Sequence, residues 1–302
     1  MKQGLEIKYR QATIIKDSPY RLNYEVPKIG RRMLNILLIP LLNAIPFKYR
    51  NKVKQSHGAA KEVIEKATSH AALEVLYGKG YPHLSRSIWE KFAHRIWFNT
   101  NNSVAARNRL TLVKDELQRA SSKYLSSNQD INLVSIASGS ARAVIETMCT
   151  IKIPETQNIS LTFLDKNPEA IEYSKKLSKK CPSRYRLRWI QDTASRFGEH
   201  FDSSELVNIV EMVGLLDYFD EIQTLKILKV IHNNLEKGGT MIIANINDNQ
   251  ERKFVTNLVG WPMIYKSAEE LIDIAIAAGF DPLNIRSIYE PLEIHHVLIA
   301  TK

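Results

Sequence analysis

The chain has 302 residues, 44% of them hydrophobic and 25% charged, and a formal net charge of +10. That length holds one large α/β domain with an N-terminal extension, or two small domains, and either can bury a proper core. The two cysteines, Cys149 and Cys181, make no metal-ligand spacing and fit a reducing compartment, so a disulfide is not expected.

Most of the charge excess sits at one end. Residues 1–55 hold twelve Lys and Arg against Glu6, Asp17 and Glu25, a net +9, and the remainder is close to neutral. The opening MKQGLEIKYRQATIIKD carries charges throughout and no apolar core, which excludes a secretory signal and leaves a cytoplasmic protein as the expectation. An apolar run, MLNILLIPLLNAIPF (33–47), follows between basic collars in residues 31–54. It is too short to span a bilayer and is interrupted by Pro40 and Pro46. Two readings stand: a segment in peripheral contact with a membrane interface, or a helix packed on the main domain as a pocket wall. Nucleic acid is not expected as a partner, because neither flank shows interleaved aromatics or a binding motif.

Helical spacing runs through residues 59–78 to Gly78, and again through IWEKFAHRIWFN (88–99). A third helix is expected after the cap cluster Asn101, Asn102 and Ser103, and SSNQD (126–130) marks a boundary. Residues 1–125 thus read as a mainly helical N-terminal cap and 126–302 as the main domain.

The stretch 133–165 is the most informative. LVSIA reads as a strand covered on both faces, SGSA as a small-residue turn, and ISLTFLD as a second strand ending on Asp165. Ala137, Gly139, Ser140 and Ala141 let a ligand approach the backbone, and the N–H groups opening the helix from Arg142 can receive polar ligand atoms. A carboxylate some 20 to 30 residues past such a turn, at the tip of the next parallel strand, is placed to accept hydrogen bonds from ribose hydroxyls. An ordinary strand-to-helix turn with Asp165 as a helix cap is the plainer alternative.

Alternation then continues. PEAIEYSKKLSKK is a helix capped by Asn167, and YRLRWIQD is a strand ending at Asp192. Residues 206–212 form a fourth strand, 224–239 a helix stopped by Gly238 and Gly239, and TMIIANI a fifth strand. SAEELIDIAIAAGF is a capped helix, and LNIRSIYE with EIHHVLIATK form a terminal antiparallel pair.

Seven strands in this order, with ASGSAR after the first, Asp165 after the second, Asp192 after the third, GLLDYF after the fourth and EKGGTMIIANI into the fifth, resemble class I S-adenosylmethionine-dependent methyltransferases over residues 104–302. The resemblance implies an α/β, Rossmann-like seven-stranded sheet with an antiparallel last strand, and S-adenosyl-L-methionine as cofactor. It assigns cofactor contacts to Ala137, Gly139, Ser140, Asp165, Lys166, Asp192, Thr193, Glu211, Met212 and Gly214. One departure is Ser135, where the family carries an acid. AARNRL, GLLDYF and GWPMIYKS together are similar to bacterial methyltransferases of 3-hydroxypalmitic acid methyl ester biosynthesis. That narrower likeness implies a carboxylate or similarly placed oxygen on a fatty or otherwise apolar body.

Among the remaining candidates, Arg107 and Arg109 are two apart and face different ways, and one of them, Arg107 in the assignment adopted, pairs with the cofactor carboxylate or an acidic substrate. Tyr81 and Tyr218 lie on loops that could close over a sulfonium by cation–π contact, or simply pack. His295 and His296 sit on the last strand, one expected to face in and one out, in structural roles. No metal is expected, since no Cys/His/Asp cluster has ligand spacing. The function expected is methyl transfer to a small or lipid-like acceptor. The alternatives are another use of the bound cofactor, such as cyclisation or C- or N-methylation, and a membrane-associated scaffold without turnover.

Overall fold

The computed structural model describes residues 5–27, 29–49, 69–78, 91, 98–201 and 207–302. Tyr81, most of the helix expected over 88–99 and the first part of the one expected over 59–78 lie outside the described residues, as does Leu206.

The N-terminal residues are the first correction to the expected cap. Leu5–Tyr9 (β1) and Ala12–Lys16 (β2) form an antiparallel hairpin, and β2 pairs in parallel with Ile285–Tyr289 (β8). The sheet therefore has nine strands among the described residues, in the order β1-β2-β8-β9-β7-β6-β3-β4-β5, where seven were expected. The other seven follow the sequence reading: Ile131–Ile136 (β3), Ile159–Asp165 (β4), Arg186–Gln191 (β5), Val207–Val213 (β6), Leu235–Ile246 (β7), β8 and His295–Thr301 (β9). β9 is antiparallel to both of its neighbours, β7 and β8.

Helices cover both faces because the strands are apolar on both. Asn101–Ser126 (α3) and Arg142–Met148 (α4) bury Leu112, Val113, Leu117, Val144, Ile145 and Met148 against one face. Glu221–Asn234 (α6) and Ala268–Ala277 (α7) bury Ile227, Leu228, Ile231, Leu271 and Ile272 against the other. Pro168–Ser178 (α5) starts at its proline with Asn167 accepting from Glu169 N–H, and α7 is opened by a reciprocal Ser267–Glu270 capping box.

Several boundaries move. Thr100 caps α3, so Asn101, Asn102 and Ser103 belong to its first turn. α6 ends at Asn234 because Leu235 is already extended, and the Gly238–Gly239 segment is strand, with a register shift between Val207 and Ile209 on the neighbouring strand. Cys149 and Cys181 are joined by a disulfide, contrary to expectation, with Cα atoms 5.0 Å apart. The sequence argument had used compartment chemistry, whereas the fold brings the ends of neighbouring α4 and α5 together. With it goes the inference of a reducing compartment.

Ile29–Ala44 (α1) is a helix that continues through Pro40. At 16 residues it is about 24 Å long, and no helix among the described residues is long and apolar enough to cross a membrane. Ile39 is buried, Leu42 and Ile45 pack on a cluster containing Phe254, Leu258 and Trp261, and the Asn43 side chain bonds Gln250 O and Phe254 N. Ile36, Leu37 and Leu41 on its outer side are exposed. One face is thus a wall of the main body, while the other is left bare.

His70–Tyr77 (α2) packs beside α3. Its Glu74, almost fully buried, accepts hydrogen bonds from Arg142 and from the Tyr173 hydroxyl. Burial pushes this carboxyl up, but the bonds from Arg142, Ser140 and Tyr173 outweigh it and leave its pKa lowered. A charged pair thereby pins α2 over the turn that follows β3.

Candidate active site

The chain runs from β3 outward to β4 and β5, then returns to the other side of β3 as β6 and β7. Such a reversal leaves a crevice at the carboxyl ends of β3 and β6. A cavity of about 440 Å³ occupies it, lined by Ala137, Gly139, Ser140, Asp165, Lys166, Asp192, Thr193, Glu211 and Gly214, together with His70 and Leu73 of α2.

Backbone shape explains the turn. Ala137, Gly139 and Ala141 all have positive φ, at 50°, 54° and 53°; Gly139 takes this left-handed region without steric cost, whereas the two alanines hold it against the strain of their Cβ. A Cβ on Gly139 would come within 3.2 Å of the His70 Cβ. Asp165 fixes the turn from the next strand: one carboxylate oxygen accepts from Gly139 N–H and the other from Asn167 N–H, both at 2.8 Å. Each oxygen keeps a further lone pair for a ligand.

Beside Ser135, where the resemblance leads to an acid being expected, the neighbouring strand places one. Ser135 and Glu211 are register partners on β3 and β6, and the Ser135 hydroxyl donates to the Glu211 carboxylate. Burial pushes Glu211 up to about 7, against the Ser135 hydrogen bond and the Arg109 charge. At the far end, Asp192 accepts from Thr193 N–H and contacts His200 Nε2 at 2.8 Å; these bonds lower its pKa.

The side chains of two expected contacts, Met212 and Arg107, do not line the crevice. Met212 is fully buried in the core cluster of the α6–α7 face, because side chains alternate along β6 and Glu211 and Val213 are the pair that reach the cavity. Arg107 grips Glu25 and donates to Phe98 O at 2.9 Å, away from both cavities, while Arg109 is the one turned to the site. The expectation that one of His295 and His296 faces out also fails: both are buried, since β9 is covered on both faces.

Gly214, Leu73, Tyr218 and Trp261 are shared with a second, apolar chamber of about 80 Å³. Leu76, Phe254, Val255, Val259 and Met263 form its walls, and Arg109, Asp217 and His295 add polar groups. Trp261 Nε1 donates to the Tyr218 hydroxyl at 2.6 Å, and burial pushes Tyr218 up to about 12, so it stays a neutral phenol. Asp217 accepts from Ile246 N–H and lies 3.6 Å from Arg109; burial pushes it up to about 6, against Arg109, that backbone bond and Lys266. Lys266 closes the turn after β6 by donating to Leu216 O and Phe219 O. Leu73, Asp217, Trp261 and His70 were not singled out in the sequence. Asp217 and Trp261 lay inside the quoted GLLDYF and GWPMIYKS, but nothing in their spacing distinguished them from packing residues. Among the described residues no group of three or more His, Cys, Asp or Glu could hold a metal ion.

Strand order and crevice together define an open, doubly wound α/β sheet, a fold shared with solved methyltransferase structures. Neither family models nor curated sequences match the chain. Among solved structures it is similar to a "possible exported protein" of Bordetella parapertussis, with 14% identity over 93% of this chain and 91% of that one and a TM-score of 0.59. It is also similar to magnesium protoporphyrin IX methyltransferase from Synechocystis with bound S-adenosylhomocysteine, with 7% identity over 67% of this chain and 87% of that one and a TM-score of 0.52. These likenesses carry the fold.

Proposed function

We propose that the protein is an S-adenosylmethionine-dependent methyltransferase acting on a small or lipid-like acceptor. The observation that carries the reading is the junction of a polar crevice, holding Asp165 and Glu211, with an apolar chamber across Gly214 and Tyr218. The residues present fit the cofactor: Asp165 has lone pairs for the ribose hydroxyls, Glu211 is a buried acid suited to the ammonium of the methionine end, and Asp192 with Thr193 lines the adenine end. The cofactor supplies an electrophilic methyl group on sulfur. The chain's own task is to orient the two reactants and exclude water. Tyr218, held by Trp261, presents its ring at the junction where a sulfonium would gain from a π face.

Calorimetry with S-adenosylhomocysteine tests the reading. Saturable binding to one site is the expected result, and a folded protein that binds none returns the chain to the alternative of a scaffold that keeps the fold. Turnover of labelled methyl donor over apolar acceptors then separates methyl transfer from other uses of the cofactor. The resemblance implies a fatty acyl carboxylate, which is already ionised at neutral pH and needs no base; a hydroxyl acceptor needs one.

A peripheral membrane contact belongs to the same reading. It is supported by the bare apolar side of α1 at Ile36, Leu37 and Leu41 and by the net +9 of residues 1–55, which suits an anionic lipid surface. Sedimentation with phosphatidylserine vesicles should fall severalfold when the three are changed together to Ser, with SAH binding unchanged. Equal sedimentation of both proteins would remove the lipid contact and leave α1 as a pocket wall only.

A further inference from the structure

The apolar chamber is small. Its volume of about 80 Å³ is close to half of the roughly 150 Å³ in which a dry apolar cavity takes one benzene ring, so roughly three or four carbon atoms fill it. The crevice beside it carries the polar groups that suit the cofactor, so the chamber is what remains for the apolar part of an acceptor. A longer chain would need either a wall that gives way or a second apolar space to continue into.

The wall is tied down on three sides. It includes the π-helical turn Phe254–Val259, from which Phe254, Val255 and Val259 line the chamber. Behind the turn stands α1: Leu42 and Ile45 pack on the cluster that holds Phe254, and Asn43 Oδ1 accepts from Phe254 N–H at 2.8 Å while its amide donates to Gln250 O. Ahead of the turn, buried Glu251 accepts from the N–H groups of Asn101 and Asn102, which open α3. After it, the N–H groups of Gly260 and Trp261 both donate to Val255 O, and the Trp261 indole is bonded to Tyr218. Turns of this kind are rare and occur mostly at functional sites, which suits a wall whose position matters. Nor does the cavity of about 570 Å³ between α2 and α5 offer a way on, since Glu74, Glu169, Glu172 and Lys176 line it. A hydrocarbon chain laid there would strip water from charged groups.

We infer that the acceptor is a small molecule whose apolar part is about four carbon atoms or fewer, with Phe254, Val255 and Val259 setting the limit. A fatty acyl chain is too long for this chamber. The inference rests on the methyltransferase reading and narrows its small or lipid-like acceptor to a small one, against the fatty body that the resemblance implies.

The test uses the full chain saturated with S-adenosylhomocysteine and straight-chain primary alcohols from ethanol to octanol, with binding read by NMR at the methyl groups of Val259 and Met263, which line the chamber. Reading at those methyls separates the chamber from adsorption on the bare side of α1. Affinity should rise about fourfold with each added methylene, the worth of one buried CH2, as far as butanol, and then level off or fall toward octanol. A rise that continues at that slope through octanol overturns the size limit, as does the absence of any shift at those methyls; in both cases bound S-adenosylhomocysteine leaves the cofactor site standing. In Phe254→Ala the break should move to hexanol or beyond, a change of length preference that loss of stability alone would not give. A folded variant whose break stays at butanol overturns the assignment of the limit to this wall. If Phe254→Ala does not fold, Val259→Ala carries the same expectation by a smaller step, and the parent series still decides the limit itself. Absence of S-adenosylhomocysteine binding removes the methyltransferase reading and this inference with it.

Discussion

Asp165→Ala is expected to lose both cofactor affinity and part of the fold's stability. The loss of affinity should be about 1.5 to 3 kcal/mol, the range for hydrogen bonds to a charged group, or roughly 10- to 150-fold. The stability term comes from Gly139 and Asn167, whose N–H groups both lean on this carboxylate and would lose it together. A fully buried donor left unsatisfied costs about 1 to 3 kcal/mol, and these two are half-buried at the crevice where water can reach them, so a drop in the thermal midpoint smaller than that full cost should accompany the binding defect. An acid at a strand tip ordinarily holds little of a core; this carboxylate instead ties the β3 turn to the end of β4. Calorimetry with S-adenosylhomocysteine and a melting curve check the two parts separately. Wild-type affinity in the variant would end the ribose assignment.

Glu211 makes the site sensitive to pH. Its carboxyl, raised by burial to about 7, is largely protonated in the free protein at pH 6. A cofactor ammonium placed beside it favours the ionised form, so binding releases a proton and affinity should fall as pH drops below 7, by up to about tenfold per unit. Glu211→Gln should abolish that slope and weaken binding most at pH 8. For stability the sign is opposite. The folded protein holds the proton more tightly than the unfolded chain, whose value is near 4.5, so stability is highest below that value and declines as pH rises through 7. A rise of this size corresponds to about 3 kcal/mol as an order of magnitude. Without cofactor, Glu211→Gln should therefore unfold at a higher temperature than the parent at pH 8, although it binds less. Affinity independent of pH from 5 to 8 in the parent protein would rule out this role.

What could be read from the sequence, and what could not, follows from how local the signal was. β3, its turn and β4 were legible because an apolar run, a cluster of small residues and a terminal acid fall within 33 consecutive residues. The N-terminal hairpin was hidden by its turn: Arg10 and Gln11 take positive φ values of 46° and 72°, positions where Asn-Gly would have announced a two-residue connection. Arg107 and Arg109 could be separated by face but not assigned, since what decides between them is Glu25, 82 residues earlier than Arg107. Met212 was misplaced by one residue of strand parity.

The pairing of β2 with β8 also governs the order of assembly. Ile14 meets Ser287, a partner 273 positions further along the chain, so the outer edge cannot close until the ribosome has delivered β8. Until then the hairpin and α1 wait without the surface that holds them, with exposed Leu5 and Ile7 already prone to meet other chains. The same pairing makes the early segment a clasp: cutting away residues 1–16 leaves β8 as a bare apolar rim, and aggregation during synthesis is the consequence to expect of any shortened chain that lacks them.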